Sequence, residues 1–230
     1  GDRAAGYRAA VDRNRLLDIG WSLATNLFVL AGVALWDWPP GNVFVLFWIE
    51  NVVLGVVTVV RIRTAAGTSQ GVERPPRAGF FVMHYGLFAL VHMVFVMMIA
   101  TRAGVSWTWW AMGLPTVLLT IRYAADLLTG WFLGGQRFRV TPGEAFSSPY
   151  GRLVVLHTAT IIGFFLLRPG SSRHRGWVGI FDPVRDWFAA QGYTITDGAL
   201  VVLILVAIKT VTDLRALGGF GAVGLRLGRA

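Results

Sequence analysis

Five apolar stretches of the chain, FWIEN, HYGLFALVH, IRYAAD, RLVVLHT and AIKTVTDL, carry Glu50, His84, His92, Arg122, Asp126, His157, Lys209 and Asp213. These side chains can bind a cation, move a proton or steady developing charge, and none of them is needed to build an apolar helix. Two imidazoles joined by one or two carboxylates suit zinc or a similar divalent ion. With one coordination position open, such an ion lowers the pKa of bound water and supports hydrolysis, here of a lipid-phase substrate. On this reading His84 and His157 bind the metal with Asp126 or Asp213, one of these aspartates is the general base, and Lys209 steadies negative charge. Glu50, His92 and Arg122 are then the residues that would hold a cofactor or pass a proton.

Other chemistries use the same groups. Two histidines at one depth on two helices can clamp a haem iron, with Arg77 and Arg152 placed for its propionates, which makes a haem- or quinone-binding redox subunit the second reading. Glu50 with His92 resembles a step of a proton relay, and a proton-coupled carrier is the third. A purely structural account also stands. Lys209–Asp213 and Arg122–Asp126, each at i,i+4, would neutralise one another, and the histidines would serve as hydrogen-bonding links between helices. Lys209 is the only lysine, all other basic residues except the four histidines being arginine. A compact ammonium that can lose its proton differs from a guanidinium that cannot. Lys209 is therefore expected to face the polar centre and balance its carboxylates, with snorkelling toward the headgroups as the alternative.

The elements that must position these residues follow from hydropathy. Apolar residues make up 55% of the chain and charged ones 14%, and the mean hydropathy is +0.59. Six apolar runs approach the ~20 residues needed to cross ~30 Å of hydrocarbon. They cover residues 16–36, 42–62, 79–100, 106–133, 151–168 and 198–217. The expected fold is an all-α membrane protein, a single domain of six transmembrane helices. Trp177 to Phe188 in the long fifth loop predicts a short amphipathic helix lying at the interface. The turn DWPPG joins the first two spans as a tight hairpin, and Pro115 is expected to kink the fourth. At 1.5 Å per residue, His84, His157, Asp126, Lys209 and Asp213 lie about 6–12 Å from the cytoplasmic helix ends, and Glu50, His92 and Arg122 about 18–20 Å. His84 and His92 are about 12 Å apart along one axis, too far to share one ion, so two linked sites are expected.

Arginines are concentrated in the N-terminal tail, around residues 61–77 and 137–152, and in the C-terminal tail. The positive-inside rule places both termini in the cytoplasm and the segment around Arg173 outside, as expected for a bacterial inner-membrane protein. The net charge of +9 is spread over juxtamembrane loops, which suits anionic lipid rather than nucleic acid. With no cysteine, disulfides, thiolate nucleophiles and Cys-based metal sites are excluded. A homo-oligomer is left open.

The ordered motifs FWIEN, HYGLFALVH, PYGRLVVLH and KTVTDL resemble an uncharacterised family of bacterial and archaeal integral membrane proteins, classed as a domain of unknown function. The resemblance runs from Phe47 to Leu214. It implies a multi-helix membrane protein whose marked residues are Glu50, Asn51, His84, His92, Arg152, His157, Lys209 and Asp213, and it implies no activity.

Overall fold

A computed structural model of the chain describes residues 19–21, 23–68, 77–166, 182–192 and 197–216. All regular structure among these residues is helical. Helix α1 covers Ile19–Leu35, α2 Gly41–Thr64 and α3 Ala78–Ala103. Helix α4, Trp109–Leu133, is followed by the short α5, Pro142–Ser147. Then come α6, Tyr150–Leu166, α7, Asp182–Ala190, and α8, Asp197–Ala216.

Among the described residues three helices are long and apolar enough to cross a membrane, namely α2, α3 and α4, with 24, 26 and 25 residues. At 1.5 Å per residue each spans roughly 36–39 Å. Helices α1, α6 and α8 coincide with the remaining three apolar runs but are shorter or less apolar. The exposed surface of α3, with Leu87, Leu90, Val91 and Val94 each about half accessible, forms an apolar face that suits hydrocarbon better than water.

Helix α2 is the centre of the bundle. It is apolar on all sides, the pattern of a helix buried all round, and it packs against α3, α4, α5 and α6. Val43 to Phe47 of α2 meet Val96 and Ile99 of α3, Met112 of α4 and Leu205 of α8 in the main core. A second cluster joins Ile62, Phe81, Tyr85, Trp131, Ala145 and Leu153 at the other end. The helix can start close to its neighbour because residue 41 is glycine: a Cβ there would lie 2.2 Å from the Gly104 carbonyl oxygen. Gly104 itself, at the end of α3, sits at φ +80 and ψ 150, a backbone conformation that favours glycine.

Asn42, in the first turn of α2, ties this end together. Its amide nitrogen donates to the carbonyls of Ser106 at 2.9 Å and Ala111 at 3.1 Å, and its oxygen accepts from the Ser106 N–H at 2.8 Å. Asn42 is fully buried, so truncation strands backbone groups with no water to replace it. Asn42→Ala is expected to cost about 2 kcal/mol, read as a lowered unfolding midpoint in detergent. A midpoint equal to that of the unsubstituted protein would show that this amide holds nothing.

Two sequence expectations change in detail. Pro115 does not break a regular span, because it stands in the first turn of the α-helical part of α4, where its missing N–H costs nothing. The irregularity lies just before it, in a π-helical turn over Trp109–Gly113 capped by the Thr108 side chain. The amphipathic segment expected from Trp177 to Phe188 is described only from Asp182, where α7 begins, and residues 177–181 lie outside the described residues. Its turn is polar on one side, with Arg185 on Asp182 at 3.2 Å. In the connection before α6, Thr141 and Glu144 form a capping box. The hydrogen bonds from Thr141 hold the Glu144 carboxyl below the ordinary carboxylate range.

Candidate functional site

The lone lysine has a buried partner. Lys209 Nζ lies 3.2 Å from Glu50 Oε2 and the two side chains are almost completely enclosed, the residues being 9% and 5% exposed. The same ammonium donates to Asn26 Oδ1 at 3.1 Å, and its charge sits 5.7 Å from the Phe47 ring centre. Asn26 in turn donates to Thr210 Oγ1 at 3.0 Å. The other oxygen of Glu50 accepts from the Tyr123 hydroxyl at 2.9 Å. One residue each from α1, α2, α4 and α8 thus closes on a single ion pair. An unpaired charge at mid-bilayer costs about 2.5–3.5 kcal/mol on insertion scales, and four helices bringing these partners together remove the net charge.

This centre forms part of the wall of a cavity of about 230 Å³. Trp21, Phe28 and Leu118 give it apolar sides, and Arg122 adds a second cation. The Arg122 guanidinium stands 5.7 Å from the Tyr123 ring centre. No carboxylate among the described residues forms an ion pair with it.

A second polar group lies between α3 and α6. His92 Nε2 is 2.9 Å from His157 Nδ1, and His92 Nδ1 is 2.7 Å from the Phe88 carbonyl oxygen. A carbonyl only accepts, so His92 Nδ1 carries the hydrogen. In the uncharged pair His92 Nε2 is then the acceptor and His157 Nδ1 the donor, which leaves His157 Nε2 as a bare acceptor. One turn pair away, His84 Nδ1 meets the Tyr150 hydroxyl at 2.8 Å, with the His84 ring stacked on Phe80.

The grouping expected from helix depth is therefore rearranged. His84 and His157 do not converge, since each bonds a different partner across α3 and α6, and those partners are about two helical turns, ~10 Å, apart. Asp126 does not face the histidines or pair with Arg122; it binds Arg61 of α2 at 2.6 Å. Glu50 and His92 do not form one relay step, for Glu50 belongs to the lysine centre and His92 to His157. Among the described residues no three His, Asp or Glu side chains converge as metal ligands, so His84, His157 and Asp126 do not meet on one zinc-like ion. The side chains of Arg152 and Asp213 lie outside the described residues, and so does any pairing of Lys209 with Asp213.

The depth arithmetic failed for two physical reasons. The lysine stem is several ångströms long, so Lys209 reaches Glu50 from a lower turn. Helix α6 also starts inside the bundle rather than at its edge, because Ala145 and Tyr150 pack against Phe81 and Tyr85. That raises His157 to the level of His92. Asn26, Arg61, Tyr123 and Tyr150 were missed as partners. Asn26, a lone amide within SLATNLFVL, was the most visible of them by the same criterion that singled out Lys209.

A family model described as "Family of unknown function (DUF6498)" matches residues 12–220. The chain belongs to this family. No curated protein and no solved structure matches it. The match to DUF6498 spans both polar groups, from Asn26 on α1 to Lys209 on α8. It assigns neither of them a role.

Proposed function

We propose that this DUF6498 protein is a six-span protein of the bacterial cytoplasmic membrane that binds, and carries with a proton, a small amphiphile bearing one negative charge. The fold supports the membrane reading through three helices of spanning length, three further apolar helices and an apolar exterior. Arginine-rich segments then lie on the cytoplasmic side with both termini.

The observation that carries the binding reading is the cavity beside the Glu50–Lys209 pair. Glu50 and Lys209 cancel, and Arg122 leaves the wall with one surplus positive charge. Apolar sides with a few convergent polar groups are what a ligand pocket needs, and a surplus guanidinium in such a place calls for an anion. An anionic head drawn to Arg122 and Lys209 competes with Glu50 for the ammonium. Once displaced, Glu50 has lost the Lys209 ammonium while still accepting from the Tyr123 hydroxyl, and a proton on this enclosed carboxylate restores the lost charge balance. Lys209 on α8, Arg122 and Tyr123 on α4 and Asn26 on α1 are the groups facing it. Ligand and proton then enter together. Among the described residues, metal-dependent hydrolysis has no comparable grouping of side chains behind it.

Laurate is the test ligand. Calorimetry on protein in neutral-lipid nanodiscs, repeated in buffers of different ionisation enthalpy and corrected with empty discs, should give about one proton taken up per laurate bound. Arg122→Gln should weaken binding at least tenfold, the size of one charge-assisted hydrogen bond. Absence of binding, or an Arg122→Gln variant that binds equally well, would overturn the proposal.

A further inference from the structure

Between α3 and α6 lies a second cavity, of about 510 Å³, in whose wall the ionisable groups among the described residues are His92 and His157. Phe88, Phe95, Val91 and Ile161 supply most of the remaining surface. These four residues are each roughly 40–46% exposed, so the cavity opens sideways on the apolar exterior and not into the interior centre. From the hydrogen-bond order, Phe88 C=O accepts from His92 Nδ1–H and His92 Nε2 accepts from His157 Nδ1–H. The free valence of this chain is the His157 Nε2 lone pair. No described residue bonds it.

We infer that this lateral cavity is a binding site for an uncharged aromatic alcohol, a phenol or hydroquinone-type molecule dissolved in the lipid phase, whose O–H donates to His157 Nε2. Three features select this class. Among the described residues the wall holds no Lys, Arg, Asp or Glu, so a phosphate- or carboxylate-headed lipid would carry its charge into apolar surroundings without a counterion there. Thr160, the other polar side chain of the wall, is buried and already partnered, and the acceptor at His157 Nε2 recognises a donor and gives nothing to a ketone or an ester. Phe88 and Phe95 give ring faces against which a flat head can stack. The Phe88 carbonyl contact fixes the tautomer of His92, and through it that of His157, so the acceptor is set before the ligand arrives.

The inference rests on the membrane reading proposed above, since the molecule must arrive through the hydrocarbon, but not on the anion cavity. 4-Nonylphenol and its methyl ether make the comparison, because they match in shape and differ in the donor. With protein in neutral-lipid nanodiscs carrying ¹⁵N-labelled histidine, 4-nonylphenol should shift the His157 Nε2 resonance and leave those of His84 unmoved. The methyl ether should bind about tenfold more weakly, the upper end of what one hydrogen bond contributes. His157→Phe keeps a ring of similar size and should reduce phenol binding to the level of the ether. Saturating laurate should leave phenol binding as it is, which separates this site from the interior one. Equal binding of phenol and ether, measured on the unsubstituted protein, overturns the inference whatever the variants do. So does a shift confined to His84. Solubilisation by alkaline extraction of membranes would instead sink the membrane reading itself.

Discussion

Lys209→Met is expected to destabilise the protein by about 3–5 kcal/mol, the penalty for removing one partner of a buried ion pair and leaving the other charged. The magnitude follows from enclosure. Glu50 is 5% exposed and, without the ammonium, still accepts from the Tyr123 hydroxyl, which offers one hydrogen bond against a full negative charge. Lys209→Met also removes the donor to Asn26 Oδ1. Reversible unfolding in mixed micelles measures the loss. The decisive comparison is the double variant Glu50→Gln, Lys209→Met. A neutral amide can still accept from Tyr123, so the double variant should recover more than half of what the single one loses. A double variant as unstable as Lys209→Met would mean that the methionine disturbs packing rather than charge. Lys209→Arg adds a further contrast: a broad, planar guanidinium does not reproduce the geometry of a compact ammonium held 3.2 Å from Glu50 and 3.1 Å from Asn26, so arginine is expected to be tolerated poorly. Free substitution would mean that any cation serves.

The lysine was legible from sequence for a reason that did not extend to its partner. A single amine within LVVLILVAIKT, in a chain whose other cationic side chains are arginine, pointed to a buried counter-charge over snorkelling, and the structure supplies one in Glu50. Which carboxylate supplied it depended on how far α8 slides along α2, and no i,i+4 rule or residue count contains that information. Helix positions were equally legible, since apolar length alone fixes them to within a few residues. The histidines show the limit most clearly. His84 and His157 share a counted depth, yet α6 begins on a ledge formed by Ala145 and Tyr150, and this local packing at a helix start shifts the register by about two turns. Asp126 was misassigned because Arg122 is four residues away in sequence, while Arg61, on another helix, reaches it at 2.6 Å.

The pairing of Asp126 also identifies the second large effect. Trp131→Ala is expected to cost about 3–5 kcal/mol, in the range for deleting a fully buried aromatic side chain. Trp131 is 1% exposed, in the π-helical end of α4, where it packs in the cluster with Ile62, Phe81 and Tyr85. Its indole N–H donates to Thr64 Oγ1 at 2.8 Å, and the Arg61 guanidinium stands 5.4 Å from its ring centre. The ring thus supports the arginine that binds Asp126, and α4 is held to the end of α2 by packing, by a hydrogen bond and by an ion pair together. The ion pair is the least of the three, because Asp126 is about half exposed and solvent-accessible pairs contribute about 0–1 kcal/mol. Asp126→Asn should therefore change stability little. Trp131→Phe, which keeps most of the apolar volume and loses the donor, should fall between the two. If Asp126→Asn proved as damaging as Trp131→Ala, the carboxylate would have a role beyond this contact, and its assignment to Arg61 alone would be wrong.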